Sequence, residues 1–294
     1  MKTTLTGTVR STFSGFQELI RIYHQLKPCD DPDCEVDLSA VSWFDANMCA
    51  PLGAVLFPFR HEGKRIRLIG LNTDTKSILQ KNGFLPNFGF DTPRKPDVYG
   101  TTIQYQRFER SDAELFKRYV SKHFLGKGIP RMTQALHSEF RESIHEVFAN
   151  AIDHSDTKLG IFACGQYFPR ASRLDFCIAD LGIGIRENVH RHMGLDLTPE
   201  RAIAWALEGE NTTRRKDAGK PGGLGLKLIR EFIDLNGGTI HIVSDAGFWS
   251  YRRGEPTLNR FTAPFPGTIV NIEINTADKQ SYCLTSEVDP NSIF

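Results

Sequence analysis

The sequence predicts an α/β (α+β) protein built from two domains that each contain helices and strands. Its 294 residues exceed the roughly 150 of an average domain, so two cores can be buried. Strand-like and helix-like segments alternate over residues 34–85, which favours a partly parallel sheet. Residues 91–100 combine proline, glycine and charge, as linkers do. We therefore predict a first domain at 1–90, a linker at 91–100 and a second domain at 101–294.

Composition excludes several classes of protein. The 36 basic and 35 acidic residues leave a net charge of +1, which gives no global attraction to nucleic acid or to an anionic membrane. Apolar residues at 40% indicate a chain that folds. No apolar stretch approaches the roughly 20 residues of a membrane helix, and none resembles a secretory signal. We expect a soluble, cytoplasmic protein with no specific partner among nucleic acids or membranes.

The first domain is predicted to consist of three strand–helix pairs. Alternating β-branched and aromatic residues predict the strands, and capping residues with longer amphipathic segments predict the helices. The strands are TTLTGTV, CEVDLSAVSWF and RIRLIGL, and the helices are FQELIRIYHQL, residues 45–61 and NTDTKSILQKNG. The first strand is expected at the edge of its sheet.

A long helix is predicted over residues 133–155 of the second domain. Apolar residues at spacings of four, three and four form one buried stripe, consisting of Phe140, Ile144, Val147 and Ala151. An adjacent stripe carries Glu146, Asn150 and Asp153. An asparagine oxygen suits Mg²⁺, and a glutamate one turn earlier can accept a proton, whereas the stripe alone equally fits a solvated helix face.

The next polar motif follows a predicted strand, SRLDFCIAD, which ends at Asp180. Gly182 and Gly184 come directly after it. Glycines at alternate positions let the backbone approach a flat ligand, and a carboxylate beside them can accept a hydrogen bond from an exocyclic amine. Taken alone, the same residues fit an ordinary turn.

A polar, basic loop then leads into a helix that is predicted to begin near Leu224. Gly222, Gly223 and Gly225 lie at the start of that helix, where backbone amides and the helix dipole favour phosphate. The loop has the composition of a lid, and a long surface loop is the alternative. The segments TIHIVS and PGTIVNIEIN predict two further strands.

In order and spacing, these motifs resemble the boxes of the GHKL ATPase superfamily. The matching segments are Glu146-x-x-x-Asn150-Ala-x-Asp153, Asp180-Leu-Gly182-Ile-Gly184-Ile, Gly222-Gly-Leu-Gly225-Leu and Gly267-Thr268. The layout is most similar to the ATP-binding domains of anti-sigma-factor kinases and histidine kinases. The resemblance implies a Bergerat fold, a two-layer α/β sandwich with an antiparallel-leaning sheet, which binds ATP and Mg²⁺.

The resemblance also implies a role for each motif. Asn150 would hold Mg²⁺, Asp180 would bind the adenine amine, Thr268 would support the adenine side, and Glu146 would be the catalytic base. The ATP-binding residues implied are Asn150, Asp153, Asp180, Gly182, Gly184, Gly222, Gly223, Leu224, Gly225, Leu226 and Thr268.

The first domain resembles a STAS domain of the anti-anti-sigma type. The segments VDLSAVSWFDANMCAPLGAVL and RIRLIGLNTDTKSILQKNGF carry this resemblance. The family's phosphorylated serine lies two residues after the turn aspartate, whereas here Asn47 follows Asp45 at that spacing. Because Asn47 cannot accept phosphate, we expect this domain to serve as a docking or dimerisation surface.

Three hypotheses about function follow. In the leading one, a Mg²⁺-dependent GHKL ATPase acts as a regulatory switch through protein partners. In the second, the chain is a protein serine/threonine kinase similar to anti-sigma-factor kinases. In the third, it is an interaction module whose ATP pocket is non-catalytic. Because related ATPases often dimerise, a homodimer is one expected assembly.

Overall fold

In the part of the chain that the computed structural model describes, the strands form three β-sheets, of three, five and two strands. The structure describes residues 1–87, 92–124, 126–153, 155, 157–208 and 224–288. The N-terminal part contains strands β1 (Lys2–Val9), β2 (Asp33–Phe44) and β3 (Arg65–Ile69) in a parallel sheet of order β1-β2-β3. Its helices are α1 (Phe13–Leu26), α2 (Cys49–His61), α3 (Thr73–Lys81) and the short α4 (Phe84–Asn87).

The predicted strands and helices of this N-terminal part are confirmed. Asn72 caps α3, since its side chain accepts a hydrogen bond from Thr75 N at 2.8 Å. The edge position of β1 is also confirmed. There, side chains of α1 bind the outer backbone of the strand: Arg21 donates to Thr4 O at 2.6 Å and Glu18 accepts from Thr6 N at 3.2 Å. These hydrogen bonds occupy backbone groups of β1 that could otherwise pair with another strand.

The second sheet is antiparallel and has five strands in the order β4-β6-β7-β9-β8. These strands are β4 (Thr102–Phe108), β6 (Ile161–Phe168), β7 (Arg173–Asp180), β8 (Thr239–Arg252) and β9 (Glu255–Asn275). A separate two-stranded pair joins β5 (Arg131–Met132) to β10 (Ser281–Tyr282). The helices of this part are α5 (Ala113–Phe124), α6 (Gln134–Asp153), α7 (Gly184–Met193), α8 (Pro199–Leu207) and α9 (Leu224–Asn236). The antiparallel sheet with helices confirms the expected fold class.

Strands β8 and β9 are longer than the sequence pattern indicates. The two strands continue as a hairpin to Arg252 and from Glu255, beyond the predicted segments TIHIVS and PGTIVNIEIN. Register shifts between Ser244 and Gly247 bend this hairpin where it leaves the sheet. These shifts interrupt the alternation of apolar and polar residues, which is why the pattern stops at the bend.

The five-stranded sheet is covered by helices on both faces. Side chains on one face of the sheet, such as those of Ile178 and Ile272, pack with α6 and α9 in one apolar core. Side chains on the opposite face, such as those of Ala179 and Ile269, pack with α1 and α2 in a second core. Helices α1 and α2 therefore lie between the parallel sheet and the five-stranded sheet. Among the described residues, none of the helices combines the length and the hydrophobicity of a membrane-spanning segment.

The turn between β2 and α2 meets the five-stranded sheet through buried and half-buried polar residues, which we call the polar seam. The Asn47 amide donates to Asn271 Oδ1 at 2.8 Å, and Arg173 Nη2 lies 2.7 Å from Asp45 Oδ2. The seam consists of Asp45, Asn47, Arg173, Asp175, Asn271 and Glu273. Thus Asn47, at the position that resembles a STAS phosphoacceptor, is buried against the second part of the same chain. The STAS-like character and the domain boundaries remain predictions.

Candidate functional site

Helix α6 presents the two stripes that its sequence predicts. Its apolar stripe is buried, from Phe140 at 2% exposure to Ala151 at 7%, against the α6–α9 face of the sheet. On the adjacent stripe, Glu146 and Asn150 are half-buried and Asp153 is exposed. The polar stripe therefore lies at the edge of the core. Its side chains are accessible to solvent and to a ligand bound beside the helix.

Asp180 ends strand β7 in a buried position. Burial raises the pKa of its carboxyl to about 7, while the backbone amides of Gly182 and Thr268 act in the opposite direction. Within the described part of the chain, its Oδ1 atom has no hydrogen-bond partner. Because a buried polar atom without a partner costs roughly 1–3 kcal/mol, a ligand donor at this atom would recover free energy.

Three glycines pack the backbone closely around Asp180. A Cβ on Gly182 would lie 2.1 Å from Ser155 O, and one on Gly267 would lie 2.1 Å from Asp180 O. Gly184 has φ +77°, a left-handed conformation that side chains other than glycine rarely adopt. The turn after β7 is therefore fixed by contacts that no larger residue permits.

The turn after β7 is joined to the end of α6. Ile183 N donates to Ser155 O at 2.7 Å, and the Ser155 hydroxyl donates to Ala151 O in the last turn of α6. Ser155 therefore connects the helix that carries Asn150 with the turn that follows Asp180. Sequence analysis did not identify Ser155, because a serine beyond a helix has many local roles.

Thr268 lies opposite Asp180 in the pairing of β9 with β7. The neighbouring residue on β8 is Ser244, which is paired with Thr268 and whose Oγ atom lies 3.0 Å from Thr268 Oγ1. Asp180, Thr268 and Ser244 therefore form one row across the end of the sheet, on the face that α6 and α9 cover. Ser244 is a further residue that sequence analysis missed, since only strand register places it beside Thr268.

The glycine motif before α9 is only partly covered by the structure. Gly222 and Gly223 lie outside the described residues, as does the rest of the basic loop. Leu224 and Gly225 begin α9, as predicted. Leu226 is partly buried and packs with the core between α6 and α9. The roles of these residues in binding phosphate remain predictions.

The described residues bring a buried acceptor, a hydroxyl and closely packed glycine backbone to one end of a sheet. Asp180 can accept a hydrogen bond, Thr268 can donate or accept one, and the glycines leave little room for a side chain above the turn. Asn150 and Glu146 stand on the helix that is tied to this turn. The arrangement suits a flat ligand with an amino group. The polar stripe of α6 can contact a polar group attached to that ligand.

Comparison with known proteins identifies the same segment of the chain. The family model of histidine kinase-, DNA gyrase B- and HSP90-like ATPases matches residues 136–276, from the first turn of α6 to the end of β9. A comparison with curated proteins gave no match. The matched segment contains α6, the turn after β7, α9 and the strand pair β8–β9. Residues 136–276 are therefore a GHKL ATPase domain, of the histidine kinase-, DNA gyrase B- and HSP90-like family, whose members include ATP-binding ATPases and kinases.

Proposed function

We propose that the chain binds Mg·ATP at the row formed by Asp180, Thr268 and Ser244, and that bound nucleotide regulates protein partners. The observation that carries this proposal is the buried Asp180 Oδ1 atom, which lacks a partner in the described part of the chain. An adenine amine is a donor of the right chemistry for that atom. The three close-packed glycines support the proposal, because they bring backbone to the place where a flat base would lie.

The residues present also fit a magnesium ion bound together with phosphates. Asn150 supplies a neutral side-chain oxygen on a half-buried helix face, and Mg²⁺ in nucleotide sites takes few protein ligands beside phosphate and water. Bound Mg²⁺ would neutralise phosphate charge. Glu146, one turn earlier on α6, is placed to accept a proton from a water molecule or an acceptor hydroxyl.

The regulatory part of the proposal is supported by strands β7 and β9, because each carries residues of both the candidate site and the polar seam. Strand β7 carries Asp180 at one end and Arg173 and Asp175 of the polar seam at the other. Strand β9 likewise carries Thr268 of the candidate site and Asn271 of the seam. A ligand that favours one arrangement of β7 and β9 would therefore also change the contacts that the N-terminal part makes through the polar seam.

Nucleotide binding can be tested by calorimetry with Mg·ATP on the full chain. We expect saturable binding by the wild type and at least a tenfold loss of affinity in Asp180→Ala, because the buried acceptor is removed. Asn150→Ala is expected to weaken binding only when Mg²⁺ is present. Glu35→Gln, which alters a carboxylate on the parallel sheet, is the control that should bind normally. Absence of binding by the wild type would refute the proposal.

Hydrolysis is tested separately by phosphate release from the wild type and from Glu146→Ala. The proposal expects slow turnover in the wild type and a loss of roughly a hundredfold or more in the variant, the usual size of a general-base contribution. Equal, undetectable turnover in two proteins that both bind ATP would refute hydrolysis. Transfer of labelled γ-phosphate to a co-purifying protein would instead identify a kinase.

A further inference from the structure

The β8–β9 hairpin leaves the five-stranded sheet beside the candidate site. Ser244 pairs with Thr268, and the register of the two strands shifts directly after this pair. Asp245 has φ +53°, in the left-handed region that few residues other than glycine adopt. Opposite the single residue Ala246, strand β9 has four residues, 261–264. The hairpin is therefore bent at its base, next to two residues of the proposed nucleotide site.

One face of the hairpin packs against the start of α8. A Cβ on Gly247 would lie 2.7 Å from Glu200 N, so the backbones of the two elements are in close contact. Arg260 donates two hydrogen bonds to the Glu200 carboxylate, one from Nε and one from Nη2, each at 3.0 Å. A contact between backbones cannot yield by a change of side-chain rotamer. Any displacement of α8 must therefore move the hairpin or break these contacts.

Helix α8 is in turn held to α7, which begins in the turn after Asp180. Arg186 of α7 donates from Nε to Leu197 O at 2.9 Å, just before α8 begins. At the start of α7, Ile185 N donates to Ser244 Oγ at 2.8 Å. Contacts therefore run from the turn after Asp180 through α7 and α8 to the hairpin.

The other face of the hairpin, formed by the neighbouring residues of each strand, packs against α1 of the N-terminal part. The Phe13 ring stacks on Phe261, with centroids 4.5 Å apart and planes 5° apart, and forms an edge contact with Phe248 at 5.5 Å. Near the other end of α1, His24 Nε2 donates to Pro264 O at 2.7 Å. The hairpin therefore lies between α8 and α1. These contacts are separate from the polar seam, which joins the turn before α2 to β7 and β9.

We propose that the β8–β9 hairpin transmits nucleotide binding from α7 and α8 to helix α1 of the N-terminal part. This inference rests on the proposed function and names a route through which its regulation acts. A bound nucleotide orders the turn after Asp180 and, through that turn, α7 and α8. The hairpin then holds its contacts with α1 more firmly. Because coupling between two sites is reciprocal, a change in the packing of α1 must also change the affinity for nucleotide.

The first test measures amide hydrogen exchange in α1 of the full chain, with and without saturating Mg·ATP. We expect the nucleotide to slow this exchange at least fivefold in the wild type, a coupling of the usual allosteric size. In Glu200→Ala, which removes both bonds from Arg260, the slowing should fall below twofold while ATP still binds. Glu187→Ala is the matched control, because it breaks an exposed ion pair with Arg191 within α7 and should behave as the wild type.

The second test measures the dissociation constant of Mg·ATP for Phe13→Ala. We expect about fivefold weaker binding, because the hairpin loses its stacked contact with α1. Phe57→Ala is the matched control. Phe57 is also partly buried and lies 5.5 Å from Phe162 in the same sheet, away from the hairpin, so its removal should change affinity less than twofold. If Phe13→Ala does not fold, Phe13→Leu removes the stacking with a smaller loss of volume and should weaken binding in the same direction.

A double variant distinguishes a shared route from two independent effects. If Phe13 and Glu200 both act through the hairpin, Phe13→Ala/Glu200→Ala should lose less ATP affinity than the product of the two single losses. A loss equal to that product would overturn the inference.

The remaining outcomes separate this inference from the proposed function. A wild type that binds Mg·ATP without slower exchange in α1 would overturn the hairpin route while nucleotide binding stands. Equal losses of affinity in Phe13→Ala and Phe57→Ala would also overturn it, because the effect would then be general to the interface. A wild type that does not bind Mg·ATP would overturn the proposed function and this inference together.

Discussion

The burial of single carboxyl groups governs the chemistry of the candidate site. Asp180 ends β7 in a buried position opposite Thr268 of β9, so its charged form loses hydration, and its pKa rises to about 7. An unfolded aspartate titrates near 3.9. Protonated Asp180 therefore contributes fully to the free energy of unfolding below about pH 4, and this contribution is lost as the pH rises to about 7. A donor on a ligand would favour the ionised carboxylate.

Nucleotide affinity is expected to depend on pH through Asp180. A carboxylate accepts a hydrogen bond more strongly than a carboxylic acid does. The affinity for Mg·ATP should therefore rise between pH 6 and pH 7, by at most about tenfold per pH unit, and level off above the pKa. Calorimetry from pH 6 to pH 8 measures this slope. Asp180→Asn is the control, because titration of ATP itself affects both proteins, and parallel pH profiles would contradict the prediction.

At the scale of elements, contacts between backbones hold the turn after β7 between α6 and β9. A Cβ on Gly182 would meet Ser155, and one on Gly267 would meet Asp180, the last residue of β7. Because both contacts involve backbone atoms, neither can yield by a change of side-chain rotamer. The close packing of the turn therefore requires the positions of α6 and of β9 together.

Substitution of Gly267 should separate β9 from β7 at the end of the sheet that carries Asp180. In Gly267→Ala the added Cβ would lie 2.1 Å from Asp180 O, so the strands must move apart. We expect a loss of roughly 1–3 kcal/mol in unfolding free energy, as for overpacked sites, and weaker binding of Mg·ATP. Urea denaturation measures the first effect and calorimetry the second.

The matched control for Gly267→Ala lies on the same strand. Thr262→Ala alters an exposed residue of the β8–β9 hairpin and should change stability by less than about 0.5 kcal/mol. A Gly267→Ala variant as stable as this control would show that the strands tolerate the extra atom, contrary to our expectation.

At the scale of the whole molecule, the polar seam joins the N-terminal layer to the ATPase domain. Three carboxylates surround the Arg173 guanidinium: Asp45 at 2.7 Å, Asp175 at 3.4 Å and Glu273 at 3.5 Å. Arg10 lies 3.8 Å from Asp45. Burial, together with the neighbouring carboxylates, raises the pKa of Asp175 to about 8, although Arg173 opposes the shift. A proton on Asp175 therefore relieves the excess negative charge of the seam.

Stability should fall with rising pH because of Asp175. Its folded pKa of about 8 lies above the unfolded value near 3.9, so the folded state keeps a proton that the unfolded state releases. Between pH 5 and pH 8 the wild type should lose about 1 kcal/mol of unfolding free energy per pH unit relative to Asp175→Asn. Urea denaturation at a series of pH values gives this difference.

Asp37→Asn is the control for the seam. The pKa of Asp37 is lowered to about 2, chiefly by its hydrogen bond with Lys2, so its contribution to stability is constant above about pH 5. The free energy of unfolding of Asp37→Asn should therefore change with pH in parallel with that of the wild type over the same range. A parallel profile for Asp175→Asn would show that the seam holds no proton.

The site was predictable from the sequence wherever its signal is local. The two stripes of α6 follow from a spacing of three and four residues, and the strand before Asp180 follows from a run of apolar residues. Gly182 and Gly184 come directly after that strand, so their role in a turn was also visible. Ser244 carries no such signal, because its contacts are with Ile185 and Thr268, and only folding brings these residues together.

The sequence by itself determined the order and type of most elements, the motifs on α6 and after β7, and the family of residues 136–276. Only the tertiary structure decided that α1 and α2 cover the second face of the five-stranded sheet. The apolar residues of these helices fit a separate core equally well, since periodicity shows that a face is buried but not what buries it. Tertiary structure also decided the raised pKa values of Asp175 and Asp180, because desolvation depends on every segment packed around a group.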